Sequence, residues 1–206
     1  FMNLNLPNIL TMSRLMLTLG FIFCLTKAGL GAIVMAIVLF TCASLTDFYD
    51  GYFAKRWNLI SDFGKIMDPI ADKFLTLAAF FIFARMHIVA EWMFYIIFIR
   101  EVLVTVSRLM VMKKGRYLAA ERAGKCKTVF QIIAIAFILI FLMLREASPL
   151  MPWGDMTVQN WLQSWQRGIN VLMWLTVILT FLSGISYVWN NRKIFFLDLK
   201  EIIKIS

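Results

Sequence analysis

The chain has 206 residues, 61% of them hydrophobic and only 16% charged, with a mean hydropathy of +0.79. That composition excludes an ordinary soluble domain and describes an integral membrane protein. The net charge of +9 does not describe a nucleic-acid binder, because the basic residues are split among loops between apolar runs, where anionic lipid headgroups are the natural partners.

In chain order, residues 1–14 form an interfacial lead-in, with Asn3 to Leu10 lying along the membrane surface. The first apolar run, Leu15 to Thr26, has no basic region ahead of it and no small-residue cleavage site after it, so it reads as a retained helix, not a removed signal. Further runs follow at Leu30 to Leu45, Phe74 to Ala84, Trp92 to Met112, Val129 to Leu144 and Ile169 to Trp189. Several fall short of the roughly 20 residues of a spanning helix but can be extended through their polar flanks. The expectation is an all-α bundle of about six transmembrane helices in one domain, 1–206, ending in an amphipathic basic tail over 190–206. Cys24, Cys42 and Cys126 lack ligand spacing and define neither a disulfide framework nor a zinc site. His87, in a predicted outer loop beside Arg85 and Glu91, is given no chemistry.

Lys and Arg gather in cytoplasmic loops. With the N-terminus inside, only Lys27, Arg85, Arg145 and Arg167 of the 21 basic residues fall outside, while Lys73, Arg100 and Arg108 lie within helices on the inner half. The expected location is therefore a bacterial inner membrane, multi-pass, with the N-terminus and active site cytoplasmic.

Against this background four acids stand out in TDFYDGYFAKRWNLISDFGKIMDPIADKF. Carboxylates within spanning segments are costly and mark functional sites by default. Asp47 and Asp50 are three apart, and Asp68 and Asp72 four apart, so each pair shares a helical face with Cβ atoms about 5–6 Å apart. Lys55, Arg56, Trp57, Asn58 and Ser61 form a polar turn between them, which brings two antiparallel helices and all four carboxylates together. Such a set repels itself unless cations are present. Its hard oxygen donors suit Mg²⁺ or Mn²⁺, commonly as two ions bridging a diphosphate. Gly51, Ala54 and Gly64 leave room for a nucleotide or diphosphate to approach the backbone. Pro69 invites a kink that re-aims Asp72 relative to Asp68, and Asp62 serves as an N-cap. Capping and ion pairing with Lys55, Arg56, Lys65 and Lys73 explain single acids at helix ends, but not two pairs in register around a turn.

The spacing resembles the signature D-x2-D-G-x2-A-R-x8-G-x3-D-x3-D of the CDP-alcohol phosphotransferase family, carried here by Asp47, Asp50, Gly51, Ala54, Gly64, Asp68 and Asp72. The chain departs from it at Lys55, where the family has Arg; charge is kept but the bidentate fork is lost. The segments LPNILTMSR, DGYFAKRWN, GKIMDPIADK, IREVLVTVSR and GKCKT extend the resemblance to members that act on sn-glycerol 3-phosphate. The resemblance implies that Asp47, Asp50, Asp68 and Asp72 hold two divalent ions, that Asp72 is also the general base, and that Asp47, Gly51, Ala54, Lys55 and Gly64 meet the nucleotide and diphosphate. It further implies transfer of a phosphatidyl group from CDP-diacylglycerol to sn-glycerol 3-phosphate with release of CMP, and a homodimer.

A phosphorylated acceptor needs cations beside the metals. Arg100 and Arg108, with Lys125 and Lys127, are suited to it, and Thr11 and Arg14 match the family's N-terminal segment. Glu101 falls nearly in line with Arg108 and is expected to orient it; an Arg and Glu pair that only packs the bundle is the plainer alternative. Thr11 capping a helix and Arg14 reaching to headgroups are likewise open. Serine, inositol phosphate or phosphatidylglycerol as acceptor, or a divalent-cation transporter, are the competing functions.

Overall fold

A computed structural model of the chain describes the backbone over 6–57, 62–113, 122–150 and 155–205. Side chains are described over 12–46, 70–111 apart from Asp72 and Arg108, 124–150 apart from Lys125, and 157–192. The described residues are all helical apart from short connections: α1 (Leu6–Leu25), α2 (Leu30–Trp57), α3 (Asp62–Arg85), α4 (Glu91–Lys113), α5 (Arg122–Ala147), a 3₁₀ turn (Ser148–Leu150) and α6 (Asp155–Ile205). No strand occurs among them. Every predicted apolar run lies inside one of these helices, Leu15 to Thr26 overrunning α1 by a residue.

Two boundaries differ from the sequence reading. The backbone is already helical at Leu6, so the lead-in from there shares one helix with the first apolar run. The tail from Asn190 likewise continues α6, whose 51 residues span about 75 Å at 1.5 Å per residue. That exceeds a hydrocarbon core of about 30 Å, so α6 projects well beyond it. Helix α3 runs unbroken through Pro69.

The turns at one end of the bundle show why the chain reverses there. Gly29 adopts φ 108° and its carbonyl accepts from Ala32 and Ile33 to start α2; glycine enters that region without a Cβ penalty. Helix α3 ends in a Schellman motif: His87 N–H donates to Ala84 O (3.0 Å) and Ile88 N–H to Phe83 O (3.0 Å), with His87 left-handed at φ 56°. The Gln166 amide on α6 donates to Ile88 O at 2.9 Å, pinning α6 to this turn.

Helix α1 packs on α2 and α3, α4 on α3 and α6, and α5 on α6, α2 and α3. The apolar core has Phe21 against Phe40 (5.6 Å between centroids), Phe137 and Trp165 (4.7 Å) pack on it half-buried, and Trp92 and Trp174 (5.1 Å) pair on the outer face. The outward faces are apolar as well: Met16, Phe23, Leu103, Val171, Phe181 and Val188 are all exposed. A helix apolar on both sides belongs in lipid. Two stretches among the described residues, Cys126–Leu150 and Thr157–Arg192, are long and apolar enough to cross a membrane, and Met12–Leu25 and Leu30–Thr46 are shorter apolar helices.

Candidate active site

The interior changes character from one end of the bundle to the other. On α1 the buried positions run Leu25, Phe21, Thr18, Arg14; on α4, Phe94, Ile97 and Glu101, with Val104 and Val111 beyond; on α5, Leu142, Ile138, Ile135, Gln131, Lys127; and on α6, Ile169, Met173, Thr176, Thr180, Ser183. Each list starts at the end where the Gly29 and His87 turns lie; α1, α5 and α6 become polar toward the other, and α4 contributes Glu101 to it. On α2 the buried stripe Ile33, Ala36, Phe40, Ala43 has Asp47 and Asp50 as its next positions at helical spacing. On α3 the buried residues Phe83, Phe80, Ala79, Leu75 and Ala71 lead back to Asp72 and Asp68 in the same way. By register all four aspartates belong to the polar end, although their side chains, with those of Gly51, Ala54, Lys55 and Gly64, lie outside the described residues.

The described core of this polar end is Glu101. Its Oε1 accepts from Lys127 Nζ, from Gln131 Nε2 at 3.3 Å and from Arg100 Nη1 at 3.5 Å. Arg100 Nη2 donates in turn to Ser183 Oγ at 2.7 Å. Glu101 and Lys127 are 2% and 3% exposed. Buried charges are tolerated only when paired and hydrogen-bonded, and this network meets that condition while tying α4 to α5 and α6. Gly184 belongs to it through its missing side chain: a Cβ there would lie 3.2 Å from Arg100 Cγ, so the glycine leaves the groove in which the arginine stem runs.

Of the residues expected at the acceptor phosphate, Arg100 and Lys127 are thus brought to one carboxylate. Arg14 is buried (1% exposed) on α1, the helix that packs on the aspartate-bearing α2 and α3. The side chains of Thr11, Arg108 and Lys125 lie outside the described residues. The expected Glu101 to Arg108 contact lies there too; the described partners of Glu101 are Lys127, Gln131 and Arg100. Sequence reasoning missed Gln131, Ser183 and Gly184. A signal existed for them: Gln131 follows Lys127 by one helical turn, and Thr176, Thr180 and Ser183 repeat at helical spacing inside an apolar run. His87 sits at the opposite end of the bundle, exposed.

The all-helical bundle, the aspartate spacing and the polar end define a class. A family model described as CDP-alcohol phosphatidyltransferase matches residues 4–182, and the chain belongs to that family. Among curated relatives, the CDP-diacylglycerol–glycerol-3-phosphate 3-phosphatidyltransferase of Bacillus subtilis (strain 168) is 33% identical over 199 residues, 91% of this chain and 95% of the relative. The protein of the same name from Rickettsia felis is 30% identical over 191 residues, 93% of this chain and 97% of the relative. A probable phosphatidylglycerophosphate synthase of Mycobacterium tuberculosis is 36% identical over 139 residues, 66% of each chain. The family resemblance read from the aspartates is borne out, as is membership of a membrane-bound group of transferases in phospholipid biosynthesis.

Proposed function

We propose that the protein transfers the phosphatidyl group of CDP-diacylglycerol to the 1-hydroxyl of sn-glycerol 3-phosphate, giving phosphatidylglycerophosphate and CMP. What supports this reading is that helix register carries the four aspartates of α2 and α3 toward the end of the bundle where a buried cationic cluster ties α4 to α5. Relatives carrying that activity in their names support the choice of acceptor.

The donor set of Asp47, Asp50, Asp68 and Asp72, all hard oxygens at helical spacing, fits two divalent ions, Mg²⁺ or Mn²⁺. Bound there, such ions neutralise a diphosphate and stabilise a leaving phosphate. Asp72 accepts the proton of the acceptor hydroxyl as that oxygen attacks the phosphatidyl phosphorus. The bond from that phosphorus to the bridging oxygen breaks, and CMP leaves with the electron pair. Gly51, Ala54 and Gly64 let the diphosphate approach the helix backbones, with Asp47 and Lys55 beside the nucleotide. Arg100, Arg108, Lys125 and Lys127, with Thr11 and Arg14, receive the acceptor's phosphate, Glu101 holding Arg100 and Lys127 in position.

In this reading residues 1–206 are one domain crossing a bacterial inner membrane about six times, with the N-terminus and active site cytoplasmic, and the chain works as a homodimer. A lipid donor and a water-soluble acceptor meet only at such an interface. The test is CMP release from CDP-diacylglycerol by purified protein with Mg²⁺ or Mn²⁺, comparing sn-glycerol 3-phosphate, serine, inositol 1-phosphate and phosphatidylglycerol. Release that requires glycerol 3-phosphate and disappears in Asp72→Asn is the expected result. Release with another acceptor alone changes the product; no metal-dependent release with any acceptor overturns the proposal.

A further inference from the structure

Positively charged residues are scarce on the side of the chain that the charge distribution assigns away from the aspartates, and three of the four there, Lys27, Arg85 and Arg145, line one cavity. It is half-open, has a volume of about 650 Å³, and lies between the ends of α1, α3 and α5 and the start of α2. Its floor is apolar, with Leu25 and Ile33 buried. The acid on its lining, Glu146, approaches Arg145 Nη2 only to 3.8 Å, both side chains being about one-third exposed (37% and 30%). A pair of that kind contributes little. The Lys27 ammonium stands 5.0 Å from the centroid of the Phe23 ring, and among the described residues neither Lys27 nor Arg85 has a carboxylate within ion-pair distance.

We propose that this cavity is a binding site for an anionic phospholipid, its phosphate held by Lys27, Arg85 and Arg145 and its acyl chains laid along the apolar floor. Three cations against one acid favour a net-negative headgroup over a zwitterionic one. A free phosphate would satisfy the cations but bury none of the floor, whereas a lipid does both. The site is separate from the one that handles the lipid donor. On α3, Asp72 and Arg85 are 13 residues apart, about 20 Å along the axis, too far for one headgroup phosphate to reach both ends.

The test uses the purified chain in detergent, with dioleoyl-phosphatidylglycerol, dioleoyl-phosphatidylcholine or inorganic phosphate added. Native mass spectrometry should show retained phosphatidylglycerol, and thermal unfolding should shift upward more with phosphatidylglycerol than with phosphatidylcholine. The combined variant Lys27→Gln, Arg85→Gln, Arg145→Gln should lose that preference. A full shift from inorganic phosphate, or no preference in the wild-type protein, overturns the proposal. A photo-crosslinkable phosphatidylglycerol on the wild-type chain gives a result that does not depend on the variant folding. Labels within 22–33, 78–86 and 145–146 support the site; labels confined elsewhere, or a dimer that seals the cavity against lipid, overturn it.

Discussion

Glu101 and Lys127 meet across the α4–α5 boundary as an ion pair with both side chains almost wholly buried, 2% and 3% exposed. Gln131 and Arg100 complete the coordination of the carboxylate. Buried pairs of this kind add little net stability but are strongly destabilising to break, because one charge is left without compensation. Glu101→Ala is therefore expected to cost about 3–5 kcal/mol of stability, read as a lowered unfolding midpoint in detergent. The double variant Glu101→Met, Lys127→Met should recover most of that loss, while the apparent KM for glycerol 3-phosphate stays raised. Recovery of both stability and KM would place Lys127 outside the acceptor site.

Gly184 governs the course of Arg100. Alanine there brings a methyl to 3.2 Å from Arg100 Cγ, which a flexible stem accommodates by a small shift, so Gly184→Ala should retain most activity. The branched Gly184→Val closes the groove and should raise KM for glycerol 3-phosphate about tenfold, equivalent to roughly 1.4 kcal/mol. Arg100→Lys should act similarly by removing the fork that spans Ser183 and Glu101. An unchanged KM in both would sever Arg100 from acceptor binding.

Metal dependence is the sharpest prediction for the aspartates. Chelation with EDTA should abolish CMP release, and Mg²⁺ or Mn²⁺ should restore it. Asp72→Asn should lower kcat by about 10²–10⁴-fold, the usual range for losing a positioned base. Asp47→Asn, Asp50→Asn and Asp68→Asn should each raise the metal concentration needed for half-maximal rate. Wild-type metal dependence in all three would remove them as ligands.

At the far end of the bundle, His87 occupies a left-handed position at φ 56° that closes α3. Glycine relieves the steric cost of that conformation. His87→Gly should raise stability by about 0.5–1 kcal/mol and His87→Val should lower it, neither changing kcat or KM. A loss of turnover in the glycine variant, measured by the same CMP assay, would give this histidine a role that its place in the fold does not suggest.

The helices were legible because an apolar run long enough to enter lipid must satisfy its own backbone, and the helix does so within one segment. Their ends were less so: α1 from Leu6 and α6 past Asn190 extend through mixed polar and apolar residues, where hydropathy marks no boundary. The aspartate motif was readable from spacing alone, since residues three and four apart share a face on any α-helix. That local rule also explains why Asp47 and Asp50 continue the stripe of Ile33, Ala36, Phe40 and Ala43.

Spacing along one helix does not say which residue of another helix it meets. Glu101 was paired with Arg108 on its own helix by that logic, yet its described partners include Lys127 and Gln131 from α5, about one helical turn apart. Ser183 and Gly184 stand more than 80 residues from Arg100 in the chain and become its neighbours only because α4 and α6 run alongside each other with their starts at the same end. Local composition and helical period therefore carry the membrane character, the helices and the acidic motif. The pairing of buried charges, the grouping of Lys27, Arg85 and Arg145 around one cavity, and the polar end of the core arise from how rotated helix faces pack. Each buried charge can be accommodated only where a neighbouring helix brings it a partner.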